Sequence, residues 1–591
     1  NVIKGDTDIP RVYVDVIDQA NLQNKQKNFF HWDLEFPEVF IDLGNTRWKL
    51  DGGFDSVIGN PPYVNAIELN NILSPYEKPY WKKVYESAEG AFDIYILFLE
   101  KSISLVRKCC KSALITPNKF LSAPYGEAFR KFVVENKKIN KLLDLSRIKV
   151  FEDPSIYPVI FILDNLKSTS EYKIHVERAF TQKDLADVSI ITQSSDNLTK
   201  LPDNIWGFLI SDYFELLLKI EEQSEPLSEC STVRASSTAS EADNYSEIIT
   251  EFPKKDRKKF INTGIIDRYE SLWGLDKLTH QGNSYMFPFF DTGDPLVSET
   301  RRRQYNERKI IFAKIAKRTE AFLDDEAEYA SANTNFVYDS KYSLYYLLAL
   351  LNSKLHFIVY LGYFGSLIMS GGYFQFQAPQ LRVLPIKSID EEVIDEKFLD
   401  YLVELYLKDY EVSMVLDELD NYIHDFDNGI TSKESIQDSY LPTIHDLLAY
   451  LGQNINKLIN ENHRILHSFW DRLEESSTRS DFIELRTRGK WEQSLAKDIA
   501  CADFVDAQSQ TTKHIDDSLN WDEEAFKAFA GMLIGDSNFT PAMIEVYRNH
   551  APEYQEISRQ IQKTDDLIDQ IVYRLYGLTE EEIEIVESSF D

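Results

Sequence analysis

The chain has 591 residues, 43% hydrophobic and 27% charged, with a formal net charge of −33. That is globular composition, enough for about three or four domains, and it excludes a disordered, collagenous or fibrous chain. The four cysteines, Cys109, Cys110, Cys230 and Cys501, form no CxxC or Cys/His spacing; this excludes a zinc ribbon or disulfide scaffold and fits a reducing, cytoplasmic compartment.

Residues 1–50 read as a mixed, partly helical connecting segment with an aromatic–acidic stretch, Phe30–Phe40. The chain opens on Asn1 without a signal peptide, which reads as a fragment or a processed start. From Phe54 the pattern turns α/β. Phe54–Gly59 reads as a strand, Ala91–Lys108 as a helix, Ser112–Thr116 as a short buried strand and Gly126–Asn136 as a helix. Asn140–Leu145, Pro158–Leu163 and Tyr172–Val176 read as further strands. The order is that of the second half of a doubly wound sheet, so residues 51–222 are expected to form a partial α/β catalytic domain.

Gln223–Asn244, rich in Ser, Glu and Thr, reads as a linker or surface excursion. Residues 223–386 form the next expected domain, mixed α+β. It holds the most apolar run, Tyr342–Met369, with a strong helical stretch at Ser343–Tyr360. Asn352, Ser353, Lys354 and His356 interrupt the run, so it reads as buried helix and not as a membrane span. Residues 387–591 read as an all-α domain of long amphipathic helices, including Glu396–Tyr422, Tyr440–Arg472 and Pro552–Tyr576. This last third holds 18 basic and 45 acidic residues, a net of −27, so the acidity belongs mostly to it. Residues 251–320 are net positive, with 15 basic and 10 acidic residues, and a basic stripe on an acidic protein still fits phosphate.

Chemistry concentrates at Asn60-Pro61-Pro62-Tyr63, directly after a strand, where open α/β sheets place ligands. Two prolines stiffen the backbone and present carbonyls without competing amide donors. Asn60 adds an acceptor and Tyr63 a stacking face. Two acceptors suit an exocyclic amine, held and oriented without a covalent intermediate. The bland alternative is a proline-stiffened turn.

In order along the chain, FDSVIGNPPY (Phe54–Tyr63), DIYILFLEKSISLV (Asp93–Val106), SALITPNKFL (Ser112–Leu121) and VFEDPSIYPVIFIL (Val150–Leu163) resemble motifs IV, V, VI and VIII of the gamma-class, TaqI-like N6-adenine DNA methyltransferases. FINTGIIDRY (Phe260–Tyr269), YLLALLNSKL (Tyr346–Leu355) and APQLRVLPI (Ala378–Ile386) resemble the target-recognition domain of type IIG restriction-modification enzymes, and Leu567–Glu587 resembles their C-terminal end. The resemblance implies an S-adenosylmethionine-dependent adenine methyltransferase acting on double-stranded DNA. Asn60 and the Pro61 carbonyl would accept the N6 hydrogens. Tyr63 would stack on the extruded base and Phe151 on its other face, with Tyr157 competing for that role. Phe98 would line the donor pocket, its bland alternative being a core helix residue. No metal is implied.

Three departures qualify this. The 22 glycines include no G-x-G pair, only 59 residues precede Asn60, and Lys108-Cys109-Cys110-Lys111 stands where relatives have a Gly-Gly turn. The first strands of the sheet are therefore expected to be missing and the donor site incomplete. The chain would need an N-terminal segment or partner subunit and would be inactive alone. Carboxylate–lysine groups such as Asp395-Glu396-Lys397 read as solvated helix faces, not as a nuclease.

Candidate DNA contacts are Lys254, Lys255, Arg257, Lys258, Lys259, Arg301, Arg302, Arg303, Lys314, Lys317 and Arg318 for phosphates. Gln375, Gln377, Gln380 and Arg382 are candidates for base edges, by residue type only. The competing function is a DNA-specificity subunit without methyl transfer. A third class, methylation of protein glutamine or RNA, fits the long recognition-like segment less well.

Overall fold

The computed structural model describes residues 30–75, 77–151, 156–181, 183, 188–253, 256–369, 371–389, 394–409, 412–427, 440–476, 519–524, 526–527 and 541–590. By internal contacts the chain divides into two units, Asn1–Ile205 and Trp206–Asp591.

The first unit is built on six strands: β1 (Phe54–Gly59), β2 (Val106–Pro117), β3 (Lys138–Asp144), β4 (Pro158–Asp164), β5 (Lys173–Arg178) and β6 (Ser189–Ser194). They lie in the order β1-β2-β4-β3-β5-β6. β1 runs parallel to β2, and β3 parallel to β5. β4 runs antiparallel between β2 and β3, and β6 antiparallel at the far edge. The strands expected from the sequence are present within a few residues. The exception is β2, which starts at Val106 and so absorbs Lys108–Lys111.

Alternation explains the packing. Val159, Phe161 and Leu163 of β4 are buried, as are Ile139 and Leu142 of β3, whose odd spacing spans a register irregularity between Ile139 and Lys141. The helices α1 (Ala66–Ile72), α2 (Glu77–Val84), α3 (Ile94–Ser104) and α4 (Glu127–Asn136) join the strands. α4 turns Phe129, Phe132 and Val133 inward, and Phe120 meets Phe129 and Phe161 at ring distances of 5.8 and 5.2 Å. Each such buried ring contributes about 1.5–3 kcal/mol. The fully buried Arg130 donates to the carbonyls of Phe120 (2.7 Å) and Ala123 (2.9 Å), which fixes the loop after β2.

The second unit contains two four-stranded sheets. The strands of these two sheets are β7 (Thr232–Ala235), β8 (Ile249–Thr250), β9 (Arg257–Asn262), β10 (Phe289–Asp291), β11 (Lys309–Ala313), β12 (Ala321–Asp324), β13 (Tyr329–Ala332) and β14 (Thr334–Tyr338). The sheet orders are β7-β14-β11-β12 and β8-β10-β9-β13. The segment read as a linker is structured here: β7 pairs with β14, burying Val233, and Thr238 caps a short helix at Ala239–Asn244. Low bulk disguised a strand whose partner lies a hundred residues away. Ser224–Pro226 pairs with Pro385–Lys387, so the ends of the expected recognition segment lie together.

The longer helices of this unit, among the described residues, are α5 (Phe214–Glu221), α6 (Glu299–Tyr305), α7 (Leu344–Asn352), α8 (Lys354–Phe364), α9 (Glu396–Asp409), α10 (Val412–Asp427), α11 (Leu441–Ser476), α12 (Pro541–Leu575) and α13 (Glu580–Glu587). The apolar run expected as one helix is two, bent by 65°, because Ser353 leaves the helical conformation and its Oγ caps α8 by accepting from His356 N. Among the described residues no single helix is long and apolar enough to cross a membrane. α12 starts well before the expected Pro552 and carries that proline inside it.

Candidate active site

β1 delivers Asn60–Tyr63 at its carboxyl end. Gly59 permits the close approach of β2, since a Cβ there would meet Leu114 Cδ2 at 2.9 Å. Pro61 is buried and Pro62 exposed. Asn60 is exposed, and its side-chain amide has no hydrogen-bond partner among the described residues.

Tyr63 is held from three sides. Its hydroxyl donates to the Ile115 carbonyl of β2 at 3.0 Å. Its ring meets Phe151 edge-to-face at 5.8 Å and 82°, and Tyr95 at 6.3 Å and 83°. Burial pushes its pKa up to about 12, so the phenol is neutral at ordinary pH. The chain beyond is anchored twice. Asn65 caps α1 in a reciprocal capping box with Glu68. Val64 O accepts from Ile94 N (3.0 Å), and Ala66 N donates to Asp93 Oδ1 (3.1 Å). Asp93 also faces Tyr125, whose hydroxyl pairs with that of Tyr95 at 2.9 Å, and burial raises its pKa. This Asp93–Tyr125–Tyr95 set was missed as a support. The signal was an Asp immediately before an apolar helix, normally a cap, but here the carboxylate reaches across to Ala66 N at the start of α1, three residues beyond Tyr63.

The structure therefore brings Asn60, Pro61, Tyr63 and Phe151 to one strand end. Phe98, expected at the donor pocket or in the core, is 43% exposed on the otherwise buried α3 and is not a core residue. Tyr157 accepts from Asn118 N through its carbonyl at 2.8 Å.

The expected DNA contacts divide. Lys254 and Lys255 lie outside the described residues. Arg301 pairs with Glu241 (2.9 Å) and donates to Ala235 O (2.7 Å). Lys259 pairs with Glu328 (2.8 Å) between the rings of Trp273 and Tyr329. Arg257 faces Asp291 (3.9 Å), and Lys258 donates to Ala327 O. Arg302 donates to Asp294 O (2.8 Å), and Arg318 lies over Phe590. One expected base reader is corrected. Gln380 is 5% exposed and accepts from Gln377 N (2.7 Å) at the start of a short helix, so it cannot meet a base edge. Arg382 donates both Nε and Nη2 to Val233 O. Arg303 and Lys317 are exposed and Lys314 is half-buried, and none of the three has an ion pair among the described residues.

Residues 4–151 match the Eco57I restriction-modification methylase family, and residues 269–386 match the TaqI-like C-terminal specificity domain. The proteins this chain is similar to are type II restriction-modification methyltransferases. It is 30% identical over 172 residues to the type II restriction enzyme and methyltransferase RM.Eco57I of Escherichia coli, covering 29% of this chain and 17% of that protein. It is 28% identical to the methyltransferase M.BstVI of Geobacillus stearothermophilus, covering 27% and 28%. With M.HindII of Haemophilus influenzae the match is 25% identical and covers 61% and 81%. The chain thus spans under a third of the length of the first two of these relatives. Among solved structures, the type IIL restriction-modification enzyme MmeI in complex with DNA is 13% identical, covering 67% of this chain and 53% of that one at a TM-score of 0.37.

Proposed function

We propose that this chain supplies the amine-binding and DNA-specificity parts of a site-specific N6-adenine DNA methyltransferase in a restriction-modification or phage-defence system. The observation that carries the reading is the strand-end group: a free Asn60 amide beside a Tyr63 ring pinned against Phe151. The Asn60 oxygen and the Pro61 carbonyl accept the two hydrogens of an adenine amine and aim its lone pair outward. The target base leaves the helix stack at a cost of a few kcal/mol. Stacking on the neutral Tyr63 ring offsets about 1–3 kcal/mol of it. Tyr63 and Phe151 stand edge-to-face, so a base enters between them only after Phe151 turns its face parallel.

S-adenosylmethionine would supply the methyl group. The described residues do not complete a site for it. Phe98 offers one exposed wall, and neither a glycine-rich turn nor a ribose carboxylate accompanies it among the described residues. β1 has no strand paired on its side away from β2 among the described residues. Ile58 on β1 is 81% exposed and Ile67 after it 76%. Such an open apolar edge fits a sheet whose donor-binding strands come from a further segment or a partner subunit. The same incompleteness favours the second reading, a specificity subunit that reads DNA without transferring methyl groups.

In the chain joined to a donor-binding segment, Asn60→Ala should lower single-turnover methylation of duplex DNA about 100-fold or more and leave duplex affinity nearly unchanged. The chain alone should bind S-adenosylmethionine more weakly than micromolar by calorimetry. Parallel loss of affinity and rate in Asn60→Ala would refute the assigned role.

A further inference from the structure

Two short strands outside the four-stranded sheets form a ribbon, Ile315–Ala316 against Phe374–Gln375, with Ile315 opposite Gln375 and Ala316 opposite Phe374. Side chains alternate along it. Phe374 and Phe376 point inward and are buried, with Phe376 packed on Tyr360 at 4.4 Å and on Phe312 at 5.4 Å. The other face carries Ile315, Lys317, Tyr373, Gln375 and Gln377, all exposed or half-exposed. Lys317 lies over the Tyr373 ring, and Gln377 Nε2 donates to Gln375 Oε1 at 3.0 Å. The ribbon is fastened from behind: Thr263 Oγ1 accepts from Ile315 N (2.8 Å), Lys314 O accepts from Phe376 N (2.8 Å), and Asn335 Nδ2 donates to Phe376 O (2.8 Å). Gly371 and Gly372, at φ 84° and 80°, mark the loop at its tip.

We propose that this ribbon is the base-reading element of the chain, entering the DNA major groove with Gln375 and Gln377 against base edges and Lys317 against a phosphate. The inference rests on duplex DNA being the substrate. The major groove admits a two-stranded ribbon. A glutamine amide pairs a donor with an acceptor, the complement of adenine's N7 and N6 edge. A cation on this face suits contact with a DNA phosphate. Arg257, Lys259 and Lys309 of the neighbouring sheets pair with carboxylates, whereas Lys314 and Lys317, like Arg234 on β7, have no ion pair among the described residues. A ribbon already fixed by its buried face also loses little freedom on binding, which favours tight and selective contact.

The test is selection of bound duplexes from a randomised pool by the full chain, followed by affinity measurement on the recovered sequence. Gln375→Ala and Gln377→Ala should each blur one or two positions of that sequence. Discrimination there should fall about 10-fold to 100-fold while affinity for unrelated duplex holds. Lys317→Ala should weaken binding to all sequences and reduce the salt slope by about 0.9. Circular dichroism checks folding, and Gln375→Glu repeats the experiment at nearly constant shape should an alanine variant fail to fold. If the wild type recovers a sequence and every folded glutamine variant recovers it unchanged, the ribbon assignment is overturned while the DNA reading stands. If the wild type recovers none, both fall.

Discussion

Inside α8 the His356 ring sits 1% exposed, with Ser353 Oγ at 3.2 Å from Nδ1 and the Pro385 carbonyl at 3.1 Å from Nε2. Burial pulls its pKa down from 6.5 to about 4, the carbonyl bond opposing only in part. A depressed folded pKa gives stability that is present above pH 6.5 and is lost as pH falls through about 4. Thermal unfolding of the second unit should therefore drop across that window, by up to ~3 kcal/mol. His356→Gln should start lower and show a flatter acid limb; an unchanged slope would remove His356 from the account. A lone histidine in an apolar run gave no hint of its carbonyl partner. Asn60–Tyr63 was legible because strand, prolines and ring are neighbours in sequence. The arginines and lysines were not, because a basic run does not reveal the acid that folding brings beside it: Arg301 meets Glu241 sixty residues upstream.

Among the elements, the strands of the first unit were readable from alternation, and the bend between α7 and α8 was marked by the polar interruption at Ser353. What alternation could not show is how β2 begins. Phe54 pairs with Val106 but Ser56 with Lys111, so residues 107–110 bulge. Cys109 lies in the bulge at φ 63°, exposed, at the place where the family resemblance leads one to expect glycine. An L residue in that conformation costs about 1–2 kcal/mol, and its side chain contributes little packing there. Cys109→Gly should thus raise the stability of the first unit by up to ~1 kcal/mol, because glycine's larger unfolded-state freedom offsets part of the relief. Denaturant titration with an unchanged m-value checks this. A destabilised variant would mean that the Cys109 side chain packs in a way its exposure denies.

Over the whole molecule, the net charge of −27 on the tail, residues 387–591, was legible in the sequence, but its use was not, since long-range ion pairs leave no local pattern. The second unit is one contact body in which the tail's acids meet the bases of the recognition segment. Arg268 makes a two-pronged pair with Asp565 at 2.5 Å in each prong, with side chains only 16% and 12% exposed. Lys354 N donates to Asp569 (2.9 Å), and its Nζ pairs with Glu587 at 2.6 Å. Lys219, just ahead of the recognition segment, pairs with Glu582 (2.6 Å). Beneath these lie the buried Leu567, Ile568, Ile571 and Val572 of α12. Asp565→Ala strands a buried guanidinium, which typically costs about 3–5 kcal/mol, whereas replacing both partners by apolar residues of similar volume is often neutral. Calorimetry of the full chain should therefore show Asp565→Ala lowering the transition of the second unit. Arg268→Met combined with Asp565→Leu should recover most of the loss, because neither charge then needs a partner. Removing residues 541–591 should unfold the recognition segment along with the tail, seen as protease cutting throughout residues 206–386. A truncated chain that keeps a cooperative transition and a protected recognition segment would show the tail to be an attachment and not a brace.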